Sequence, residues 1–335
     1  MIYYRVIALL FLSLSVSCSS VSSYKIINKE GFEEGQEIKE QSKFLVSSMA
    51  NASRKLHDIA WPIMISNLDS CQNSKINAFG LMIAHLEDIP SSLAPSFYAA
   101  SPINSLINSK ADLPMIVSVA KDSPADRAKI IEGDLIISIN NSIVSYKNYK
   151  RLLDDAAQKG SLKIRIKRLE EEIIYELESE LICGYPVQAM ISPIPNAYAD
   201  GSKIYITIAT LDFVKDDQEI AFLIAHELAH NIHHYKGEAL YESQGNPLAI
   251  EEKPSLQKIT DLLIFQTEEK ETEADLYGVE FAIKAGIAQD KVANYFRRLT
   301  IYMPQLMKNS FFRMHPGNAK RVADIERKLK ELNSN

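Results

Sequence analysis

The chain has 335 residues, 46% of them apolar and 24% charged, which is the balance of a globular protein long enough for two ordinary cores. Its 37 Lys and Arg against 43 Asp and Glu leave a net charge of −6, with the basic residues interspersed rather than clustered. That distribution excludes nucleic acid as a partner, because phosphate binding relies on a basic patch.

Met1 to Ser17 carries one basic residue, Arg5, then the apolar run Val6 to Leu12, then small residues up to Cys18. This is the pattern of a secretory signal peptide over residues 1–17. The run is too short to span a bilayer, and no later stretch approaches roughly 18 apolar residues, so no transmembrane helix is expected in the mature protein. Ser15-Val16-Ser17-Cys18 resembles a bacterial lipobox, with Ser15 where leucine is common. Two outcomes stay open: simple cleavage after Ser17, or an outer-membrane lipoprotein anchored at Cys18, with membrane contact only through that lipid. Either way the expected location is exported and periplasmic.

Setting Cys18 aside leaves Cys71 and Cys183, which form either one disulfide across an insertion or two buried thiols. Residues 18–39 are polar and acidic and read as a flexible tether. Phe44, Leu45, Met49, Leu56, Ile59, Ala60 and Ile63 recur at helical spacing and predict a packing helix broken by Pro62. With the strand Phe79 to Ile83 they make residues 40–88 the first part of the main domain, followed by a linker over 89–114.

Residues 115–181 change grammar. Met115–Val119, Leu135–Ile139 and the alternating Leu162, Ile164, Ile166 predict strands, and Lys147–Gln158 predicts a helix. Asp122-Ser123-Pro124-Ala125 with Glu132-Gly133-Asp134-Leu135-Ile136 resembles the core of bacterial PDZ domains. The resemblance implies capture of an extended peptide ligand, often by its C-terminal carboxylate. The family's glycine-containing carboxylate loop is missing directly ahead of the first strand, since Ser109 to Pro114 has no glycine, so a structural spacer stays open as the other reading.

Beyond residue 182, Val187 to Ile191 and Lys203 to Ile208 predict strands, the latter either an edge for an extended substrate or an ordinary sheet strand. Then comes His226-Glu227-Leu228-Ala229-His230. An HExxH on a helix points two imidazoles from one face, so that both can hold one zinc ion beside the glutamate. Ala221, Ile224, Ala225, Leu228 and Ile232 gather on the opposite side, predicting a half-buried helix closed by Lys236-Gly237.

A catalytic zinc keeps three protein ligands and one open position. The second predicted helix, Gln266 to Ala285, supplies the third. With Glu271 at 0°, Ala274, Asp275, Gly278, Phe281 and Ala282 share its face, whereas Glu273 falls beside Glu280 and Lys284. Glu271 is therefore chosen as ligand and Asp275 as hydrogen-bond partner of a zinc histidine. His233 stands too far along to join them, His234 is read as a surface residue, and His57 and His85 as structural.

Asn196-Ala197-Tyr198-Ala199, the HExxH, Glu271-Thr272-Glu273-Ala274-Asp275 and His315-Pro316 with Arg321 stand in the order of the gluzincin metallopeptidases related to CAAX prenyl endopeptidases and bacterial periplasmic quality-control peptidases, and the chain resembles that family. The resemblance implies zinc ligands His226, His230 and Glu271, one ion per chain, with Glu227 as base. His315 is offered as oxyanion stabiliser or as a capping residue, and Arg321 as partner of a carboxylate near the site or as a solvated helix residue.

The expected fold is α+β, a mostly helical zincin domain over 182–335 with a small sheet beside the HExxH helix, plus the PDZ-like module. The expected function is a zinc endopeptidase of the cell envelope acting on extended or misfolded polypeptides. A non-catalytic or latent zinc-binding, peptide-binding chaperone-like protein is the alternative.

Overall fold

The computed structural model describes residues 32–72, 74–103, 112–235, 238–250, 267–302, 304 and 319–334. The signal-peptide pattern, Cys18, the Ser109–Ala111 stretch, Lys236-Gly237, and His315 with Pro316 lie outside the described residues. The chain divides into two compact units, Met1–Lys39 and Glu40–Asn335, and the described end of the first is helical.

Helix α1, Phe32–Ser66, runs through Pro62 instead of breaking there. Proline removes one hydrogen bond and crowds the preceding turn, but Trp61, Ile63 and Met64 on either side of it are buried and hold the last turn in place. Val46, Met49, Leu56, Ala60 and Ile63 face the main core, whereas Phe44, expected among them, is 74% exposed. Among the bonds that pin α1 and the residue after it to distant parts of the chain, Ser53 Oγ donates to the Pro247 carbonyl at 2.6 Å, and Asn67 Nδ2 to the Phe281 carbonyl at 3.2 Å.

The strands β1, Lys75–Ala78, and β8, Glu180–Cys183, pair antiparallel from Lys75↔Cys183 to Ala78↔Glu180. They form the neck of the inserted module, and Cys71 and Cys183 are joined there in a disulfide with Cα atoms 5.7 Å apart. Beyond the neck lies a six-stranded sheet. Its path is β2 (Leu81–Ala84), β3 (Met115–Val119), β4 (Leu135–Ile139), β6 (Ser161–Arg168) and β7 (Glu171–Glu178), with β5 (Ser142–Ile143) on β4. The short helix α2, Pro124–Arg127, is capped by Ser123 Oγ, and α3, Tyr149–Lys159, ends on Gly160 in the left-handed region.

The strand at Leu81, expected in the first part of the main domain, belongs instead to this sheet. It pairs with β3, and Phe79, Leu81 and Ile83 enter the module's own core with Ile116, Ile136 and Tyr149. A four-residue apolar strand carries no periodicity that says which of two cores it enters.

The chain returns to the main domain through β9 (Val187–Met190), β10 (Ala197–Ala199) and β11 (Ile204–Thr207), a sheet in the order β10-β11-β9. β11 therefore lies in the middle, and among the described residues the outer strand beside the HExxH helix is β10 rather than β11, the expected edge. Helices α4 (Ile208–Phe213), α5 (Asp217–His233), α6 (Glu268–Lys284), α7 (Asn294–Tyr302) and α8 (Ala319–Ser334) complete a fold of α+β class. No described helix is long and apolar enough to cross a membrane.

Candidate metal centre

Asp216 caps α5 by accepting from the Gln218 N–H, with Asp217 and Glu219 in the first turn where the helix dipole favours negative charge. The helix is not half-buried as its pattern suggests: every residue from Glu219 to Asn231 is buried. The histidine face is covered by α6, which packs along α5, with α7 also against it. Gly278 makes this approach feasible, since a Cβ there would stand 3.0 Å from the His226 Cα and 3.2 Å from its nitrogen. Asn231 fastens the other side: its Oδ1 accepts from the Gly201 N–H at 2.7 Å and its Nδ2 donates to the Lys203 carbonyl at 3.1 Å, which sets the β10–β11 hairpin against the helix.

Where α5 and α6 cross, three donors meet. His226 Nε2 and His230 Nε2 are 3.1 Å apart, and Glu271 carboxylate oxygens lie 3.3 Å from His230 Nε2 and 3.6 Å from His226 Nε2. All three residues are buried. Bonds of about 2.0–2.1 Å from a tetrahedral zinc place ligand atoms about 3.4 Å apart; the two imidazole nitrogens stand near that spacing, Glu271 Oε1 faces His230 and Oε2 faces His226, and one ligand atom from each of the three residues lies within 4.8 Å of the others. The set of two imidazoles and one carboxylate is also the chemistry zinc prefers at a site with an open position.

The surrounding polar groups orient those donors. Asp275 Oδ1 is 3.0 Å from His226 Nδ1, leaving Nε2 for the ion. His230 Nδ1 lies 2.8 Å from His234 Nδ1, whose Nε2 is 3.0 Å from Glu273. The His234 side chain, read from sequence as a surface group, is only 4% exposed. His233 instead stacks on Tyr277 with ring centroids 3.9 Å apart.

Arg321 from α8 is buried above both acids. Its Nε and one terminal nitrogen donate to Asp275 at 2.6 Å each, the other terminal nitrogen stands 3.0 Å from Glu271, and the guanidinium lies over the Phe296 ring at 4.4 Å. Burial alone would push the Asp275 carboxyl up, but the charge and hydrogen bonds of Arg321, with His226, hold it below the usual carboxylate range. Burial also opposes charge on His226, yet the bonds to Asp275 and Glu271 and the field of Glu227 raise it to about 9. Glu227 itself is 1% exposed, and burial first, with the field of Glu227 second, pushes the Tyr295 phenol up.

Sequence reasoning gave no role to Asn231 or Glu219, and misread His234. Asn231 stands between Ala229 and Ile232 near the end of the apolar run that begins at Ile220, which is a signal for it; Glu219 ends the polar run from Lys215 and stands out only by its two-point ion pair from Arg298 at 3.0 and 2.6 Å.

Two helices crossed this closely, joining an HExxH pair to a glutamate one helix away, define a metallopeptidase-type centre. The peptidase family M48 model matches residues 157–253 and 251–329, more than half of the chain, and the chain belongs to that zinc-dependent family. A PDZ domain model matches residues 115–168. Among solved structures, the HtrA3 PDZ domain bound to a phage-derived ligand is 20% identical, with a TM-score of 0.25 over 33% of this chain and 92% of that one. The HtrA-type protease AlgW with decapeptide is 19% identical, with a TM-score of 0.25 over 32% of this chain and 30% of that one. A comparison with curated proteins gives no match.

Proposed function

We propose that this metallopeptidase is a zinc endopeptidase of the bacterial cell envelope that cuts extended or misfolded polypeptides. The observation that carries the reading is the convergence of His226, His230 and Glu271 beside a buried Glu227. His226 and His230 through Nε2, and Glu271 through its carboxylate, would hold one ion. Zinc supplies Lewis-acid polarisation of a carbonyl and the acidification that makes water a nucleophile near neutral pH. Asp275 and His234 fix the two imidazoles in the tautomers that present Nε2 as the ligand nitrogen, and Arg321 balances the two acids without displacing either.

Glu227 lies one residue from the first ligand on the same helix, and its carboxylate takes the proton of the attacking water and returns it to the leaving amine. The outer strand β10, set against α5 by Asn231, would offer its edge to the backbone of an extended substrate whatever its sequence. The leader pattern and the Cys71–Cys183 bridge both support an exported, oxidising location.

Metal analysis combined with casein proteolysis, with and without chelator, tests the reading. Wild type should carry about one zinc and lose activity on chelation, and Glu227→Gln should lose about 10²–10⁴-fold in rate while keeping its metal. Wild type and Glu227→Gln equally inactive, yet both binding unfolded casein, would replace the enzyme with a binding protein.

A further inference from the structure

Parts of the chain far apart in sequence leave a cavity where α1 meets the neck of the inserted module. His57, Ala60, Trp61 and Met64 recur on α1 at spacings of three and four, so they line one side of it as a single helical stripe. Ile76 of β1 and Ile182 of β8 line it from the neck, and Leu81 and Met82 of β2 from the module's sheet. Val187 of β9 and Leu240, from the segment 238–250 that follows α5, complete the wall. The space not filled by protein atoms is about 460 Å³, part of it open to solvent, which is the scale of a small-molecule site and not of a packing void.

Several polar groups of this wall already have partners. His57 Nδ1 lies 3.0 Å from Ser118 Oγ, and desolvation lowers the ring to about 3, so it is neutral. The Tyr185 hydroxyl donates to Ser74 Oγ at 2.8 Å, and the Glu242 carboxylate accepts from the N–H groups of Phe79, Gly80 and Leu81. The indole N–H of Trp61 has no acceptor among the described residues, although Trp61 is only 3% exposed. An indole nitrogen donates and does not accept, and a buried donor left alone carries a desolvation cost that an incoming oxygen would relieve.

These features narrow the occupant. No Lys or Arg lines the cavity and Glu242 stands in its wall, so an acid finds repulsion there and no counter-charge. Met64 and Met82 are adaptable walls that fit rings and short chains of varied outline. Pro186 and Leu240, both only partly buried, mark the opening, whereas Trp61 lies deep. A long acyl chain entering methyl end first would leave its ester at the mouth. We propose that this cavity binds a compact neutral molecule, a cyclic ether, ketone or lactone or a short ester, whose oxygen accepts from Trp61 Nε1. Such a ligand touches α1, both strands of the neck and the segment behind the HExxH helix together. It therefore steadies the joint from which the module is hung, a joint that Leu240 N–H on the Gly184 carbonyl at 2.9 Å holds on its own when the cavity is unliganded.

The chain has a single tryptophan, so its fluorescence reads this cavity alone. Tetrahydropyran and cyclohexane, alike in shape but only the first bearing an oxygen, are titrated into full-length wild type and into Ala60→Leu, which fills the space from a helical position. Tetrahydropyran should give wild type a saturable shift of emission to longer wavelength, and cyclohexane a saturable change without that shift. Ala60→Leu should weaken both at least roughly tenfold, because the added side chain takes the ligand's place. A response that never saturates, or one that Ala60→Leu leaves intact, overturns the site. In Trp61→Phe, followed through the ligands' own NMR signals, the preference for tetrahydropyran over cyclohexane should fall roughly threefold or more. An unchanged preference overturns the proposed ligand class. This second variant keeps an aromatic ring in the wall and carries the test if Ala60→Leu does not fold. None of the three metal ligands lines the cavity, so neither readout depends on zinc or on turnover, and failure of the peptidase reading would leave both results standing.

Discussion

Asp275 serves two masters, since one oxygen faces the imidazole of His226 while both accept from Arg321. Replacing it by Asn keeps the shape and removes the charge that orients His226 Nδ1. We expect Asp275→Asn to lower zinc affinity about 10–100-fold with little change in fold, measured by competition against a chromogenic chelator; unchanged affinity would contradict the orienting role. His57 offers a second, pH-based expectation. It is buried, bonded through Nδ1 to Ser118 at 3.0 Å, and desolvation lowers it to about 3. The unfolded chain protonates this residue near 6.5 and the folded one only near 3. Its contribution to stability is therefore complete above pH 6.5 and is lost as pH falls toward 3, at about 1.4 kcal/mol per unit. Denaturant midpoints across that range should flatten in His57→Gln. At this scale the burial of Glu271 and the exposure of Glu273 were legible, because a helical wheel separates a buried from a wet face. The burial of Arg321 and His234 was not, since both depend on another helix closing over them.

Between elements, the α5–α6 crossing rests on one missing methyl group. A Cβ at position 278 would press on the His226 backbone at 3.0 Å, tighter than ordinary contact, so the helices must part by a few tenths of an ångström. Gly278→Ala gains about 1 kcal/mol in helix propensity, but overpacking costs about 1–3 kcal/mol and moves Glu271 away from the histidines. We expect a lower melting temperature and weaker zinc binding together, and a variant that melts higher with full zinc would show that the crossing has slack. The long periodic helices were readable because their faces repeat over several turns. β2 and the order of the small sheet were not, because three- and four-residue strands take their partners from tertiary packing.

For the whole molecule, the Cys71–Cys183 bridge closes a loop with a sequence separation of 112 and joins both ends of the module at its neck. Closing a loop of about this length restricts the unfolded chain by up to ~4.7 kcal/mol, and losing a native bridge typically costs 2–5 kcal/mol. Cys71→Ser should therefore melt well below wild type, while wild type in reductant should approach the variant. Coincident melting of oxidised and reduced wild type would show the bridge to be dispensable. The ties of α1 carry a further consequence, for synthesis. Ser53 finds its acceptor 194 residues downstream and Asn67 finds one 214 residues downstream. A chain emerging in order therefore completes the whole module before either tie can form. Until α5 and α6 are made, the main core shared by α1 lacks its later half, and a nascent chain halted before that point is an adhesive intermediate rather than half a protein.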